Sequence, residues 1–252
     1  MARNILEIRD LVNIASGHTI IDHLSLEIEE GELRVLVGPN GAGKTTLIDV
    51  ITGRFKPTSG QIMFRDRSIG GRPRHEIYAA GISRKFQVPT VYDNLTVFEN
   101  MSVGLGGHRR VFSSLTYRIT PKAAAQIEEI LARINLLARA RDEAHTLSHG
   151  EKQWLEIGMV LASDPHLFLL DEPTTGMTRD ETTKTAELIR DIARRRTVMV
   201  VEHDMSFVRK IANKITVMHQ GKKLTEGSVR EVENDPRVAE VYLGRHKISE
   251  AT

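Results

Sequence analysis

Gly38-Pro39-Asn40-Gly41-Ala42-Gly43-Lys44-Thr45 fits the pattern G-x-x-x-x-G-K-[ST]. Glycines in such a loop let backbone N–H groups curl around phosphate oxygens where a side chain would block the approach. A helix opening directly behind the loop adds partial positive charge at the same point. Lys44 should reach the outer phosphates of a nucleotide, and the Thr45 hydroxyl should ligate Mg2+. A second constellation follows later, where the apolar run Leu167-Phe168-Leu169-Leu170 ends in Asp171-Glu172. A buried strand would place both carboxylates at its C-terminal edge, where ligands bind in open α/β sheets. Asp171 fits the metal side of such a site, since Mg2+ takes hard oxygen donors. Glu172 fits a general base that polarises an attacking water.

These groups need elements to hold them. Ile5 to Asp10 alternates loosely and reads as a strand. Ile20, Asp22, Leu24, Leu26 and Ile28 alternate more clearly and define one side of a second. Leu33 to Val37 is a short, largely apolar strand running into Gly38, and the helix Lys44 to Ile51 follows, with Gly53 as its C′ residue. Gln61 to Phe64 reads as a further strand. Beyond residue 88 strand signals fade. Thr120-Pro121 starts a helix with Thr as N-cap and Pro at the first position, and Glu129 is spaced to pair with Arg133. Gly104 to Ser114 reads as a flexible loop, and Glu151 to Ala162 as another helix. After Pro165 strands and helices alternate again: strand 167–170, helix 180–194, strand 197–201, helix 205–212 and strand 215–218. A turn at Gln220-Gly221 follows. Apolar strands alternating with helices imply a parallel sheet covered on both faces. The expected fold is a P-loop NTPase (RecA-like) α/β core with a mainly parallel sheet, an N-terminal antiparallel β subdomain and a helical subdomain. The core would take residues 1–87 and 166–252, and the helical subdomain 88–165.

Composition sets bounds. The chain has 252 residues, 40% hydrophobic and 27% charged, and a formal net charge of +2. That charge gives no broad electrostatic case for nucleic acid, and no nucleic-acid partner is expected. Clusters such as Arg65, Arg67, Arg72 and Arg74 read as solvated faces. Cysteine is absent, which fits a reducing compartment. No apolar run approaches the roughly 20 residues that span a bilayer, so any membrane role must come through partners.

Three more segments complete a pattern: Leu147-Ser148-His149-Gly150-Glu151-Lys152-Gln153, Lys85-Phe86-Gln87, and Val201-Glu202-His203-Asp204. With the phosphate loop and the LFLLDEP strand, their order and spacing resemble the ATP-binding cassette (ABC) ATPases across nearly the whole chain. The resemblance implies that Gly38, Pro39, Asn40, Gly41, Ala42, Gly43, Lys44, Thr45 and Thr46 bind ATP. It implies Mg2+ held by Thr45, Gln87 and Asp171, and catalysis by Glu172 with His203 and Gln87. Ser148, Gly150 and Glu151 of the signature would meet the ATP bound by a partner subunit; a helix N-terminus there favours an anion. The family's adenine-stacking aromatic has no counterpart in Ala15-Ser16-Gly17-His18, where His18 could substitute. Thr178 stands near where many relatives carry Asp, and His149 where the family more often has Gly.

The pattern narrows further. Phe86-Gln87, Thr96-Val97-Phe98-Glu99-Asn100, Trp154-Leu155-Glu156-Ile157-Gly158 and Val241-Tyr242-Leu243-Gly244 resemble ATPase subunits of branched-chain amino acid and urea importers. SHGEKQWLEIGM and GMT look closest to the urea-type member. That resemblance implies a second ABC ATPase subunit, two membrane permeases and an extracytoplasmic solute-binding protein, with the chain on the cytoplasmic face of the inner membrane. A non-transport ABC ATPase acting on nucleic acid or ribosomes is the alternative; such proteins usually carry two fused cassettes or coiled-coil inserts, and this chain has no sustained heptad run. A P-loop kinase or GTPase would leave LSHGEKQ and His203 without a role.

Overall fold

The computed structural model describes residues 3–84, 91–106 and 119–243, and the side chains up to Val241. Two sheets form its frame. The first is antiparallel, in the order β2-β1-β4-β5, from β1 (Asn4–Ala15), β2 (His18–Glu29), β4 (Ser59–Phe64) and β5 (Arg67–Ser68). The second has the order β10-β9-β3-β8-β7-β6. Its strands are β3 (Leu33–Val37), β6 (Ile82–Arg84), β7 (Leu167–Asp171), β8 (Thr197–Val201), β9 (Lys214–His219) and β10 (Lys222–Gly227). Only β10 runs antiparallel to its neighbour there. The mainly parallel core and the antiparallel sheet agree with the fold class expected from sequence.

The uniformly apolar strands are apolar because both faces of the second sheet are covered. Successive side chains go to opposite cores. Val35, Val37, Phe168, Leu170, Val198 and Val200 enter one core with α5 (His149–Ala162), α6 (Arg179–Ala193) and α7 (Met205–Ile211). Leu36, Leu167, Leu169, Met199 and Val201 enter the other, with α1 (Lys44–Ile51) and the inner face of the antiparallel sheet. One polar residue interrupts β3. Arg34 is fully buried, and it donates to Thr216 Oγ1 at 2.7 Å and to Glu27 O at 2.9 Å while pairing with Glu32 and Glu226. Its guanidinium joins β2, β3, β9 and β10, and its ion partners make burial tolerable.

Sequence periodicity misplaces one phase. Leu24, Leu26 and Ile28 are buried as expected, but Ile21 is buried at the start of β2 and Ile20 is only half-buried. The register with β1 shifts between Ile8 and Leu11, and His23 takes φ +52°. An extra residue at a bulge moves every side chain beyond it to the other face. The expected Glu129–Arg133 pair is also replaced. Arg133, on the last turn of α4 (Pro121–Arg133), reaches across to Asp191 of α6 at 2.9 Å. Gly104 to Gly106 close the helix α3 (Val97–Gly106) rather than opening a loop, and the rest of that expected loop, 107–114, lies outside the described residues. Sequence reading also left out α2 (Arg74–Ala80), β6, α8 (Val229–Glu233) and α9 (Pro236–Leu243). Each is eight residues or shorter, too short for a periodic signal to stand out.

Between 91 and 165 the described residues hold α3, α4, α5 and short 3₁₀ turns, with one isolated bridge, Thr96 to Glu143. The side that packs on the core is fastened by Trp154 of α5, whose indole N–H donates to buried Thr185 of α6 at 2.9 Å. Thr185→Val should strand that N–H and lower stability by about 1–3 kcal/mol, whereas Thr185→Ser should hold near wild type. Urea unfolding of the two variants is the check. Of the arginines read as solvated, Arg65 and Arg67 are exposed, and Arg72 pairs with Glu76 at 3.3 Å in a shallow cleft.

Candidate active site

Strands β3, β8 and β7 are neighbours and parallel, so their C-terminal ends share one edge. β3 delivers Gly38, β7 delivers Asp171 and Glu172, and β8 delivers Glu202 and His203. The sequence order scatters these residues; the sheet order collects them.

Gly38 to Gly43 form the loop that enters α1. Gly43 is the N-cap residue at φ +97°, and a Cβ there would sit 2.8 Å from Ile20 O. Only glycine meets both demands. The Gln220-Gly221 turn props the loop from behind, with Gly221 N donating to Ala42 O at 3.1 Å. Lys44 is buried, and its Nζ donates to Gly38 O at 2.6 Å and Pro39 O at 3.0 Å. Thr45 and Thr46 are half-buried in the first turn, while Asn40 and Gly41 are exposed. The loop thus presents a cation, hydroxyls and a helix N-terminus together, the chemistry that phosphate oxygens require.

Asp171 has a fully buried side chain. Arg84 Nη2 donates to its Oδ2 at 2.7 Å, while its Oδ1 is buried with no hydrogen-bond partner among the described residues. Burial pushes this carboxyl up, and the neighbouring Arg84 pulls it back. An orphaned, buried carboxylate oxygen suits a hard cation or its bound water. Among the described residues no cluster of three His, Cys, Asp or Glu could hold a metal alone. A Mg2+ here would complete its shell with phosphate oxygens and water. Thr45 and Asp171 fit that arrangement; Gln87 lies outside the described residues.

Glu172 is held at φ +46°, unusual for a non-glycine residue, with its N–H donating to Val201 O at 2.9 Å. Such strain persists where surrounding structure over-determines it. Its Oε1 lies 3.4 Å from His203 Nδ1, and its Oε2 accepts from Thr175 Oγ1 at 3.4 Å. His203 is placed in turn by Glu202, a buried carboxylate. Glu202 accepts from His203 N at 3.1 Å and from Thr174 Oγ1 at 2.6 Å.

An ABC transporter family profile matches residues 21–175. The chain belongs to the ABC transporter ATPase family. A profile described as a branched-chain amino acid ATP-binding cassette transporter matches 222–248 of the cassette. The cassette is similar to the high-affinity branched-chain amino acid transport ATP-binding protein LivG of Salmonella typhimurium, 35% identical over 97% of this chain and 99% of that protein. It is also similar to BraF of Pseudomonas aeruginosa, 32% identical over 97% and 99%. Among solved structures, the ADP conformation of an ATP-binding cassette of an ABC transporter superposes with TM-score 0.86 at 28% identity. It covers 96% of this chain and 99% of that one.

In the cassette the signature segment opens α5. Ser148 is the N-cap and forms a capping box with Glu151. Its hydroxyl also donates to Glu181 Oε1 at 3.0 Å, and His149 Nε2 lies 3.1 Å from Thr175 O. Glu151 is held besides by Arg139 at 3.1 Å. A Cβ on Gly150 would strike the Glu181 carboxylate. Thr178 caps α6 and shares its own capping box with Glu181. The Thr178 backbone N–H, chiefly, holds the Glu181 carboxyl below its usual range. Ser148, His149 and Gly150 therefore face the segment that follows Glu172, and the two capped helices lock together through one carboxylate. His18 opens β2 opposite Ala15 and is exposed, beside Ile14, an exposed large apolar side chain.

Four residues escape sequence reading: Asp49, Arg84, Glu181 and Glu202. Arg84 had a signal, a lone charge in the three-residue strand Ile82–Arg84. The others become visible only through their partners.

Proposed function

We propose that the cassette hydrolyses ATP to drive import of a branched-chain amino acid through two permease subunits. The observation that carries this reading is near-full-length similarity, 97% of the chain, to LivG and BraF. In this reading Lys44 and the backbone of 38–46 hold the β- and γ-phosphates, and His18 lies by the adenine. Thr45, Asp171 and, by its place in the sequence, Gln87 stand on the Mg2+ side. Bound Mg2+ would neutralise charge on the β- and γ-oxygens. Glu172 takes a proton from water as the water oxygen attacks the γ-phosphorus. The bond from that phosphorus to the bridging oxygen breaks, and ADP leaves with the electron pair. His203 holds Glu172 for this step.

The signature acts in trans. Ser148, Gly150 and Glu151 meet the ATP of a second ABC ATPase subunit, and Ser148 gives up Glu181 to do so. Two permeases and an extracytoplasmic solute-binding protein complete the assembly, with the cassette peripheral on the cytoplasmic side of the inner membrane. Among the described residues no helix is long and apolar enough to cross a membrane. The subdomain assigned to 88–165, with α3, α4 and α5 among its described residues, is the arm that presents the signature.

Urea is the second reading of the solute, on the form of SHGEKQWLEIGM and GMT. Labelled leucine and urea uptake in a strain lacking this chain separates them. Loss of leucine uptake, restored by the wild-type chain, is expected. Loss of urea uptake alone would move the solute to urea, and loss of neither would overturn an import role.

A further inference from the structure

The buried bridge Asp49–Arg84–Asp171 stands outside the roles given above. Arg84 ends β6 in register with Leu169 of β7. Its side chain is 4% exposed. One guanidinium nitrogen, Nη2, donates to Asp171 Oδ2 at 2.7 Å, and the other, Nη1, pairs with Oδ1 of Asp49 on α1. Asp49 is also within 3.6 Å of the exposed Arg54. Among the described residues the Oδ1 of Asp171 is left buried and unbonded.

Such a bridge is a poor way to gain stability. Desolvating a guanidinium and two carboxylates is expensive, and packed apolar side chains of similar volume do as well or better. What the bridge does provide is geometry. A guanidinium is a rigid, planar fork. Its two arms set the spacing between α1, whose first residue is Lys44, and β7, whose last is Asp171. They also fix the rotation of the Asp171 carboxylate, since one oxygen is taken and the other is free.

We propose that Arg84 is a positioning residue for the metal side of the nucleotide site: it orients Asp171 so that Oδ1 meets the Mg2+ shell. This rests on the reading of Asp171 as the Mg2+-side carboxylate. Partners that orient ligands in this way typically contribute about 10- to 100-fold in metal affinity. Lysine keeps the charge but cannot span both carboxylates, so Arg84→Lys should fail as Arg84→Met does.

The test is binding of a fluorescent ATP analogue to the full chain, first in EDTA and then across a Mg2+ titration. Wild type, Arg84→Lys, Arg84→Met and Asp171→Asn are compared, with folding checked by circular dichroism. The expected result is unchanged metal-free binding in both Arg84 variants and a rise of about 10-fold or more in the Mg2+ concentration needed for half-maximal enhancement. An unchanged Mg2+ midpoint in a folded Arg84 variant overturns the proposal. So does an equal loss of metal-free binding, which would make Arg84 a general prop of the phosphate loop. Arg84→Lys keeps the test open if Arg84→Met does not fold. An unchanged midpoint in Asp171→Asn would remove the metal role of Asp171 itself; a shifted one beside unchanged Arg84 variants would sink only the role of Arg84.

Discussion

Glu172→Gln should lower ATP hydrolysis by roughly 100-fold or more while leaving ATP binding intact. The amide keeps the size and hydrogen-bonding reach of the side chain but cannot accept a proton from water. Strain at φ +46° and the contacts from Val201 O, Thr175 and His203 place the side chain whatever its charge. The substitution therefore removes the chemistry and keeps the geometry. Steady-state phosphate release in the assembled transporter, with nucleotide binding measured in parallel, is the check. Normal turnover would remove Glu172 from the role of base. His203→Ala should give a smaller loss, because Glu172 would keep its backbone and Thr175 contacts.

Lys44→Ala should act earlier, on binding. The ammonium is held by Gly38 O and Pro39 O inside the loop, poised where phosphates would replace those carbonyls. A hydrogen bond to a charged group contributes about 1.5–3 kcal/mol, so ATP affinity should fall roughly 10- to 100-fold. Adenosine, which has no phosphates, should bind both proteins alike. Titration of the purified chain with ATP and adenosine distinguishes a phosphate contact from a general loss of the fold. Equal ATP affinity in the variant would show that the loop backbone alone carries the phosphates.

The residues proposed to hold phosphate are legible because they are contiguous. Gly38 to Thr45 needs only a strand before it and a helix after it, and Asp171-Glu172 needs only its apolar strand. Ser148 read correctly as a residue at the start of a helix, since capping is a local matter between Ser148 and Glu151. The supporting residues were not legible, because their meaning lies in partners far along the chain. Arg84 is defined by Asp49 and Asp171, Glu202 by Thr174 and His203, and Glu181 by Ser148 and Thr178. The phase of β2 and the partner of Arg133 failed for the same reason: a bulge and a neighbouring helix overrode the local repeat.

His149 is the signature residue with the most direct contact to the segment after Glu172. Its ring packs against Gly176, where an added Cβ would lie 3.1 Å away, and its Nε2 meets Thr175 O. It ties the signature to the segment after Glu172 within one chain. On the proposed reading, the half-site offered to a partner and the strand that carries Glu172 are thereby joined.

The central claim is that Ser148 serves the ATP of another cassette, not its own. Analytical ultracentrifugation of the Glu172→Gln chain in MgATP, alone and mixed with its partner cassette, tests it directly. A two-cassette species should form on addition of ATP. Adding Ser148→Arg should abolish that species while the variant chain still binds ATP with unchanged affinity. A two-cassette species that persists at the same ATP concentration, or loss of ATP binding by the variant chain itself, would contradict the account.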